Sequence, residues 1–341
     1  MAPAPTPASS RHCLVTGGAG FVGSHLVGLL LARGDRVTVV DDLSTGRRAN
    51  LPASHERLRF IEADLREALH ALGKGEVFDE IYHLAAAVGV KLVIADPIRA
   101  IETNIEQAAA LLRFAIDRPT ARGPAPTLIT SSSEVYGKGL RSPFREDDDV
   151  VYGPTTVSRW SYACAKAIDE HLALAYHSQY SLPAVVVRLF NTVGPRQAGE
   201  YGMVLPRFVA AAIEGRPIEV YGDGSQSRCF CDVRDVAPAL PRLLGDAACH
   251  GRVFNIGAET PITIRRLAET VIETLGSRSP IVHVDYAQAY GSGFEDLAAR
   301  RPDLTRVREA IGFTPAITLE QTIRDLASSL GATAPLAGSP R

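Results

Sequence analysis

An α/β protein with a doubly wound parallel sheet is the fold class this sequence predicts, and three observations predict it. Short apolar, β-branched runs alternate with longer helical stretches through the first half of the 341-residue chain. Those runs are apolar at nearly every position, the pattern of strands covered by helices on both faces. The segments between them are long enough for the right-handed crossovers that parallel neighbours require.

Taken in order, the strand candidates are CLVTG from Cys13, RVTVVDD from Arg36, LRFIEA from Leu58, IYHLAA from Ile81, TLITSSS from Thr127 and AVVVRLF from Ala184. A helical pattern follows the first of them, from Ser24 to Arg33. Past about residue 190 the rhythm breaks, as Gly194-Pro195, Leu205-Pro206, Arg216-Pro217 and Gly222-Asp223-Gly224 interrupt shorter pieces. The expected organisation is a sheet domain over 11–190 and a smaller mixed α/β domain over 191–330. One apolar run in the second part, VFNIG over 253–257, is a candidate strand returning to the first sheet. Residues 1–10 and 331–341, dominated by Pro, Ala, Ser and Gly, are expected to be disordered tails.

Composition narrows the function classes. Hydrophobic residues make up 46% of the chain and charged residues 22%, which excludes fibrous, coiled-coil and bulk-disordered proteins. With 36 basic and 38 acidic residues the formal charge is −2, so no global basic field draws nucleic acid or an anionic membrane. No apolar run approaches the roughly 18–20 residues of a membrane span. The N-terminus has no cationic stretch leading into an apolar one, so no secretory signal is read there. Five cysteines, odd in number and without a CxxC pair, point to free thiols in a reducing cytoplasm. Neither a disulfide framework nor a metal site is expected.

The first strand runs straight into Gly17-Gly18-Ala19-Gly20-Phe21-Val22-Gly23 and then into the helical pattern. Gly17, Gly20 and Gly23 form GxxGxxG, whose glycines permit a tight turn and bring backbone N–H groups close to a pyrophosphate at the helix N-terminus. Strand, turn and helix arrive in the required order, which lifts the motif above a lone glycine-rich turn. The second strand ends in Asp41-Asp42, where a carboxylate can take the ribose hydroxyls and repel a 2′-phosphate. NAD is therefore expected over NADP, in a Rossmann-type sheet.

The fifth strand ends in Ser131-Ser132-Ser133-Glu134-Val135-Tyr136-Gly137, and a later helix holds Tyr162-Ala163-Cys164-Ala165-Lys166. Residues i and i+4 share a helix face, so Tyr162 and Lys166 project together. A phenol beside an ammonium and a positive nicotinamide is expected to have its pKa lowered, so that Tyr162 can take a hydroxyl proton while hydride leaves the carbinol carbon. A serine hydroxyl from the strand end completes the proton path. A YxxxK alone is common by chance; its place after a nucleotide loop and a serine-rich strand end gives it weight.

TGGAGFVGSHL, SSSEVYG and YACAK together resemble the extended short-chain dehydrogenase/reductase family of nucleotide-sugar enzymes, over residues 11–330. The resemblance implies a tightly held NAD, oxidation of a UDP-sugar at C4, action on the 4-keto sugar, and a homodimer built on two helices per subunit, one beginning near Asn104. It implies Ser132 as the relay serine beside Tyr162 and Lys166. Asp64 with Leu65 falls at the adenine contact, Phe21 and Val22 in the phosphate turn, and Ala85, Ala86, Lys91 and Asn104 in segments lining cofactor and active site.

Within that family the acid at Glu134 resembles dehydratases and UDP-glucuronate decarboxylases more than simple 4-epimerases. RWSYACAK, RLFNTVGPR, SRCFCDVRD and YGSGFEDLAARRPD resemble the decarboxylases of the UDP-apiose/UDP-xylose synthase type. There the residues matching Ser133, Glu134 and Arg300 serve decarboxylation. The chemistry agrees: a C4 ketone turns the C5 carboxylate into a β-keto acid, an acid assists protonation, and a cation steadies the enolate. Glu134 as a backbone cap and Arg300 as a diphosphate contact are the structural alternatives.

Two departures stand out. Ser132 replaces the threonine common in these decarboxylases, and Ala198 stands where glucuronate 4-epimerases often carry a second arginine. At the nucleotide end the resemblance places Asn191 near phosphate, Arg228 on the diphosphate and Tyr221 beside the base, with Arg196 among the substrate-binding residues; the guanidinium geometry suits a bidentate grip. Tyr221 can equally be a half-buried strand aromatic. A UDP-hexose 4-epimerase is the alternative activity and a dehydratase the third; a non-catalytic NAD sensor is a different class, which would not need Ser132, Tyr162 and Lys166.

Overall fold

The computed structural model describes residues 10–73, 75–86, 96–199, 203–285 and 299–331. Seven parallel strands form the central sheet: β1 (His12–Thr16), β2 (Arg36–Asp41), β3 (Leu58–Glu62), β4 (Glu80–His83), β5 (Thr127–Ser132), β6 (Ala184–Leu189) and, far later in the chain, β11 (Arg252–Ile256). Their spatial order is β11-β6-β5-β4-β1-β2-β3. Successive residues of one strand feed opposite layers: Cys13 and Val15 of β1 pack into one core and Leu14 into the other. That alternation is why the strands read as continuous apolar runs. Strand β3 departs from the expected pattern, since it lies at the sheet edge and stays partly exposed.

Helix α1 (Phe21–Arg33) covers one face and ends at Gly34, whose left-handed φ of 95° lets its N–H reach the Leu30 and Leu31 carbonyls. Helices α2 (Leu65–Ala71), α3 (Pro97–Asp117) and α4 (Arg159–Tyr180) cover the other face. The helix expected to begin near Asn104 in fact starts at Pro97. Asp96 caps it by accepting from the Arg99 N–H, and proline supplies a pre-set φ at the first position.

The later part of the chain adds β7 (Thr192–Val193), α5 (Val204–Ile213), β8 (Ile218–Tyr221), β9 (Ser227–Arg228), β10 (Cys231–Asp232), α6 (Val233–Gly245), α7 (Ile264–Leu275), β12 (Ile262–Thr263), β13 (Ile281–Val284), β14 (Ala299–Arg300), α8 (Thr305–Ile311) and α9 (Leu319–Gly331). A separate core gathers Leu205, Phe208, Val220, Leu267, Val271 and Ile323. The expected boundary at 190 does not divide the molecule cleanly. The VFNIG run does return to the sheet as β11, parallel to β6. Residues of α6 and α8 also pack against α1 and the sheet, through Val236, Leu240, Leu304 and Val307. The tails expected at 1–10 and 331–341 lie almost wholly outside the described residues.

Candidate active site

At the carboxyl ends of the strands, where the order reverses between β1 and β4, a cleft of about 1100 Å³ runs from the glycine turn into the second core. Gly17 has a φ of +68°, and a Cβ on it would stand 2.6 Å from the Ala85 nitrogen at the end of β4. A Cβ on Gly23 would stand 2.1 Å from the Gly17 carbonyl oxygen. The turn thus packs backbone to backbone, which only glycine allows. Gly20 precedes α1 without a side-chain cap, and Phe21, Val22 and Gly23 line the cleft. Open backbone donors at a helix N-terminus fit a dinucleotide pyrophosphate.

Asp41 lies buried in the cleft wall, where Oδ2 accepts from the Ala19 N–H and Oδ1 from the Leu43 N–H, both at 2.9 Å. Burial pushes its carboxyl above the usual range, and those N–H bonds oppose the shift. Asp42 is exposed, its Oδ1 accepting from Ser44. Asp64 caps α2 and accepts from Gln107 Nε2 at 3.3 Å, with Leu65 buried behind it. Ala85 and Ala86 line the cleft, but Asn104 does not: it is buried within α3, its amide donating to the Ala100 carbonyl at 2.8 Å. Lys91 lies outside the described residues.

Tyr162 and Lys166 project from α4 into the same cleft, as their spacing requires. Ser132 caps the turn Ser133–Tyr136 by accepting from the Glu134 N–H, and its hydroxyl favours the ionised form of the Tyr162 phenol. Ser133 is buried beside it. The Lys166 Nζ donates to Asp169 Oδ2 at 2.9 Å, both groups buried. Burial, Glu134 and Asp169 push the Tyr162 phenol well above its usual range, opposed by Ser132. The lysine charge is paired with Asp169.

Glu134 sits among arginines. Arg300 Nη1 approaches its Oε1 to 2.5 Å and Arg159 Nη2 its Oε2 to 3.5 Å. Burial works against ionisation, but Arg300, Arg159 and Arg228 win and hold the carboxyl below its usual range. The residue expected as an acid is therefore a carboxylate in this cleft. Arg300 and Arg228 are placed as register partners of the β14–β9 ladder. Phe144 anchors the chain that follows, donating its N–H to the Arg301 carbonyl and accepting from Asp303 N–H, each at 2.8 Å. Its ring stacks on Tyr136 at 4.7 Å. Sequence reasoning missed Arg159, although it lies three residues before Tyr162 on the same helix face.

At the far end Asn191, with φ +22°, has a buried Nδ2 with no hydrogen-bond partner among the described residues, a donor that fits a phosphate oxygen. Arg228 is buried and lines the cleft, and Arg196 lines it from an exposed position. The Tyr221 ring lies 3.9 Å from the Arg207 guanidinium, a second cation that sequence reasoning missed.

The chain is similar to known proteins along most of its length. It is 39% identical over 318 residues to a UDP-N-acetyl-alpha-D-glucosaminuronate decarboxylase of Bacillus cytotoxicus, covering 92% of this chain and 96% of that one. It is 35% identical over 317 residues to UDP-glucuronic acid decarboxylase 6 of Arabidopsis thaliana, covering 92% and 87%. Its fold superposes with a TM-score of 0.84 on a UDP-N-acetylglucosamine 4-epimerase of Methanobrevibacter ruminantium, at 29% identity over 96% of this chain and all of that one. Residues 13–257 match a family of enzymes whose cofactor is NAD, and the glycine cradle, the carboxylate wall and the phenol–lysine pair described above are parts such a cofactor requires. The protein belongs to the NAD dependent epimerase/dehydratase family.

Proposed function

We propose that the protein is a UDP-uronate decarboxylase, which oxidises the sugar at C4 and removes its C5 carboxyl group as CO2. The observation that carries this reading is the gathering of Arg159 and Arg300 around Glu134 in the cleft that holds Tyr162 and Lys166. A neutral hexose needs cations only for its diphosphate, whereas a uronate brings a further carboxylate that must be paired when desolvated. The relatives named above, decarboxylases of UDP-linked uronic acids, support the same reading.

Bound NAD supplies the hydride acceptor for C4. Tyr162 takes the C4 hydroxyl proton with Ser132 at its oxygen, and Lys166 holds the ribose side of the cleft. Once C4 is a ketone, the C5–carboxyl bond breaks, its electron pair enters an enolate, and CO2 departs. Arg300 and Arg159 orient the carboxylate before that step and stabilise the enolate after it. A substrate carboxylate brought against Glu134 sets two like charges together, which favours one proton on the pair. That proton is the one C5 takes up. Asn191, Arg228 and Arg196 bind the diphosphate, and Tyr221 backed by Arg207 meets the base.

The finer assignments rest on further features. Ile101 of α3 and Ile168 of α4 are exposed at 36% and 42% on two helices that pack together, which supports a homodimer built on those helices. All five cysteines are free, which suits a cytoplasmic location. The test is product mass after separate incubation with UDP-glucuronate, UDP-N-acetylglucosaminuronate and UDP-glucose. Loss of one CO2 from a uronate supports the reading. An isomer of UDP-glucose with no uronate turnover would assign the protein to the 4-epimerases, and loss of water to the dehydratases.

A further inference from the structure

Asp169 follows Lys166 by three residues on α4 and is not explained by the glycine turn or the strand ends. Its side chain is wholly buried, Oδ2 accepts from the Lys166 ammonium at 2.9 Å, and Oδ1 is buried with no hydrogen-bond partner among the described residues. The neighbouring acid is committed elsewhere: Glu170 accepts from Arg188 Nε and Nη2 at 2.9 and 2.7 Å and from the Ser131 hydroxyl at 2.5 Å. Asp169 is thus the acid of α4 that meets the lysine.

The other groups facing this corner are Ser132 and Glu134 from the end of β5, with Arg159 and Arg300 behind Glu134, and His83 from the end of β4. Burial and the charge of Lys166 push His83 down to about 3, so it brings no charge of its own. Its Nδ1 is engaged with the Thr16 hydroxyl at 2.7 Å.

We propose that Asp169 is a positioning residue, which clamps the Lys166 ammonium and cancels its charge toward Tyr162, so that the lysine reaches the cleft as half of a neutral pair. The proposal rests on the reading of Tyr162 as the proton-transferring phenol. Its consequence is that the phenol is held toward its neutral form, since burial, Glu134 and Asp169 all act in that direction.

Asp169→Asn is the decisive variant. The amide keeps the shape and an oxygen acceptor for Lys166, but the pair changes from neutral to a net positive charge, which favours phenolate. The protein and the variant, each with and without Tyr162→Phe, are titrated by tyrosinate absorbance in the near ultraviolet, with NAD bound. Subtraction leaves the single phenol, and the pH profile of kcat/KM is measured in parallel. In Asp169→Asn both midpoints are expected to fall by about one pH unit or more. Asp169→Glu, which keeps the charge, should titrate close to the unaltered protein, and it decides the matter where the asparagine variant does not fold: a downward shift of about one unit in Asp169→Glu overturns the proposal. A folded, NAD-binding Asp169→Asn with unmoved midpoints also overturns it. If Tyr162→Phe is inactive in that case, the reading of Tyr162 stands and only the role of Asp169 falls; if Tyr162→Phe turns over normally, both fall.

Discussion

Arg300 and Glu134, both lining the cleft and far apart in the sequence, meet at 2.5 Å, and that ion pair holds a residue expected as an acid in its carboxylate form. The contact depends on two strand ends distant in sequence: the turn after β5 and the β14–β9 ladder. It also sets the state that a substrate carboxylate encounters on entry.

Glu134→Gln is expected to permit C4 oxidation but to slow CO2 release by roughly 10²–10⁴-fold, the usual range for losing one proton-transfer group. The amide keeps size and hydrogen bonding but cannot carry the proton. Rapid quench with product analysis should find the 4-keto acid or enzyme-bound NADH accumulating. Unchanged CO2 release would remove Glu134 from the step.

The same substitution has a signature in stability. The Glu134 carboxyl lies below its ordinary value of 4.5, so its ion pairs stabilise the folded state above that pH and are lost as pH falls through the folded-state value. The Tm of Glu134→Gln should therefore trail the unaltered protein at neutral pH, with the gap closing under acid. A gap that widens toward low pH contradicts the sign.

Tyr162→Phe removes only a phenolic oxygen, far from the glycine turn. Turnover should drop roughly 10²–10⁴-fold while NAD stays bound, as equilibrium titration with the cofactor would register. Near-normal turnover sinks the assigned role.

Arg159→Lys keeps a charge but loses the planar fork. KM for a uronate is expected to rise by roughly tenfold, the scale of one imperfect charge-assisted bond. NAD affinity should hold. A KM unchanged for every uronate would place Arg159 among structural arginines.

Asp41→Asn should narrow the preference for NAD over NADP, because the wall of the ribose end loses its negative charge while one acceptor for the Ala19 and Leu43 N–H groups survives. Relative affinities for the two cofactors check this. Tighter binding of NADP than NAD by the unaltered protein would refute the placement.

How much of this was legible in the sequence depends on the range of the interactions. The strand–turn–helix at Gly17–Gly23, the six first strands, the returning β11 and the Tyr162–Lys166 face all follow from local periodicity and from glycine at close approaches, so they could be read directly. The start of α3 lies at Asp96-Pro97, a cap followed by proline, and not near Asn104, whose side chain donates to the Ala100 carbonyl one turn back. The upward push on Tyr162 from the chain itself was not legible, because it comes from burial, from Glu134 in a separate segment and from Asp169 one turn beyond Lys166. The ionised state of Glu134 needs three arginines from three separate segments, and no spacing within the chain encodes that meeting.

The central claim is loss of the uronate carboxyl group, and release of labelled CO2 tests it most directly. The NAD-loaded protein is incubated with UDP-glucuronate and, separately, UDP-N-acetylglucosaminuronate, each labelled at the carboxyl carbon. Labelled CO2 from at least one of them, lost in Tyr162→Phe, is the predicted result. No labelled CO2 from either, alongside rapid interconversion of UDP-glucose and UDP-galactose, would contradict the account.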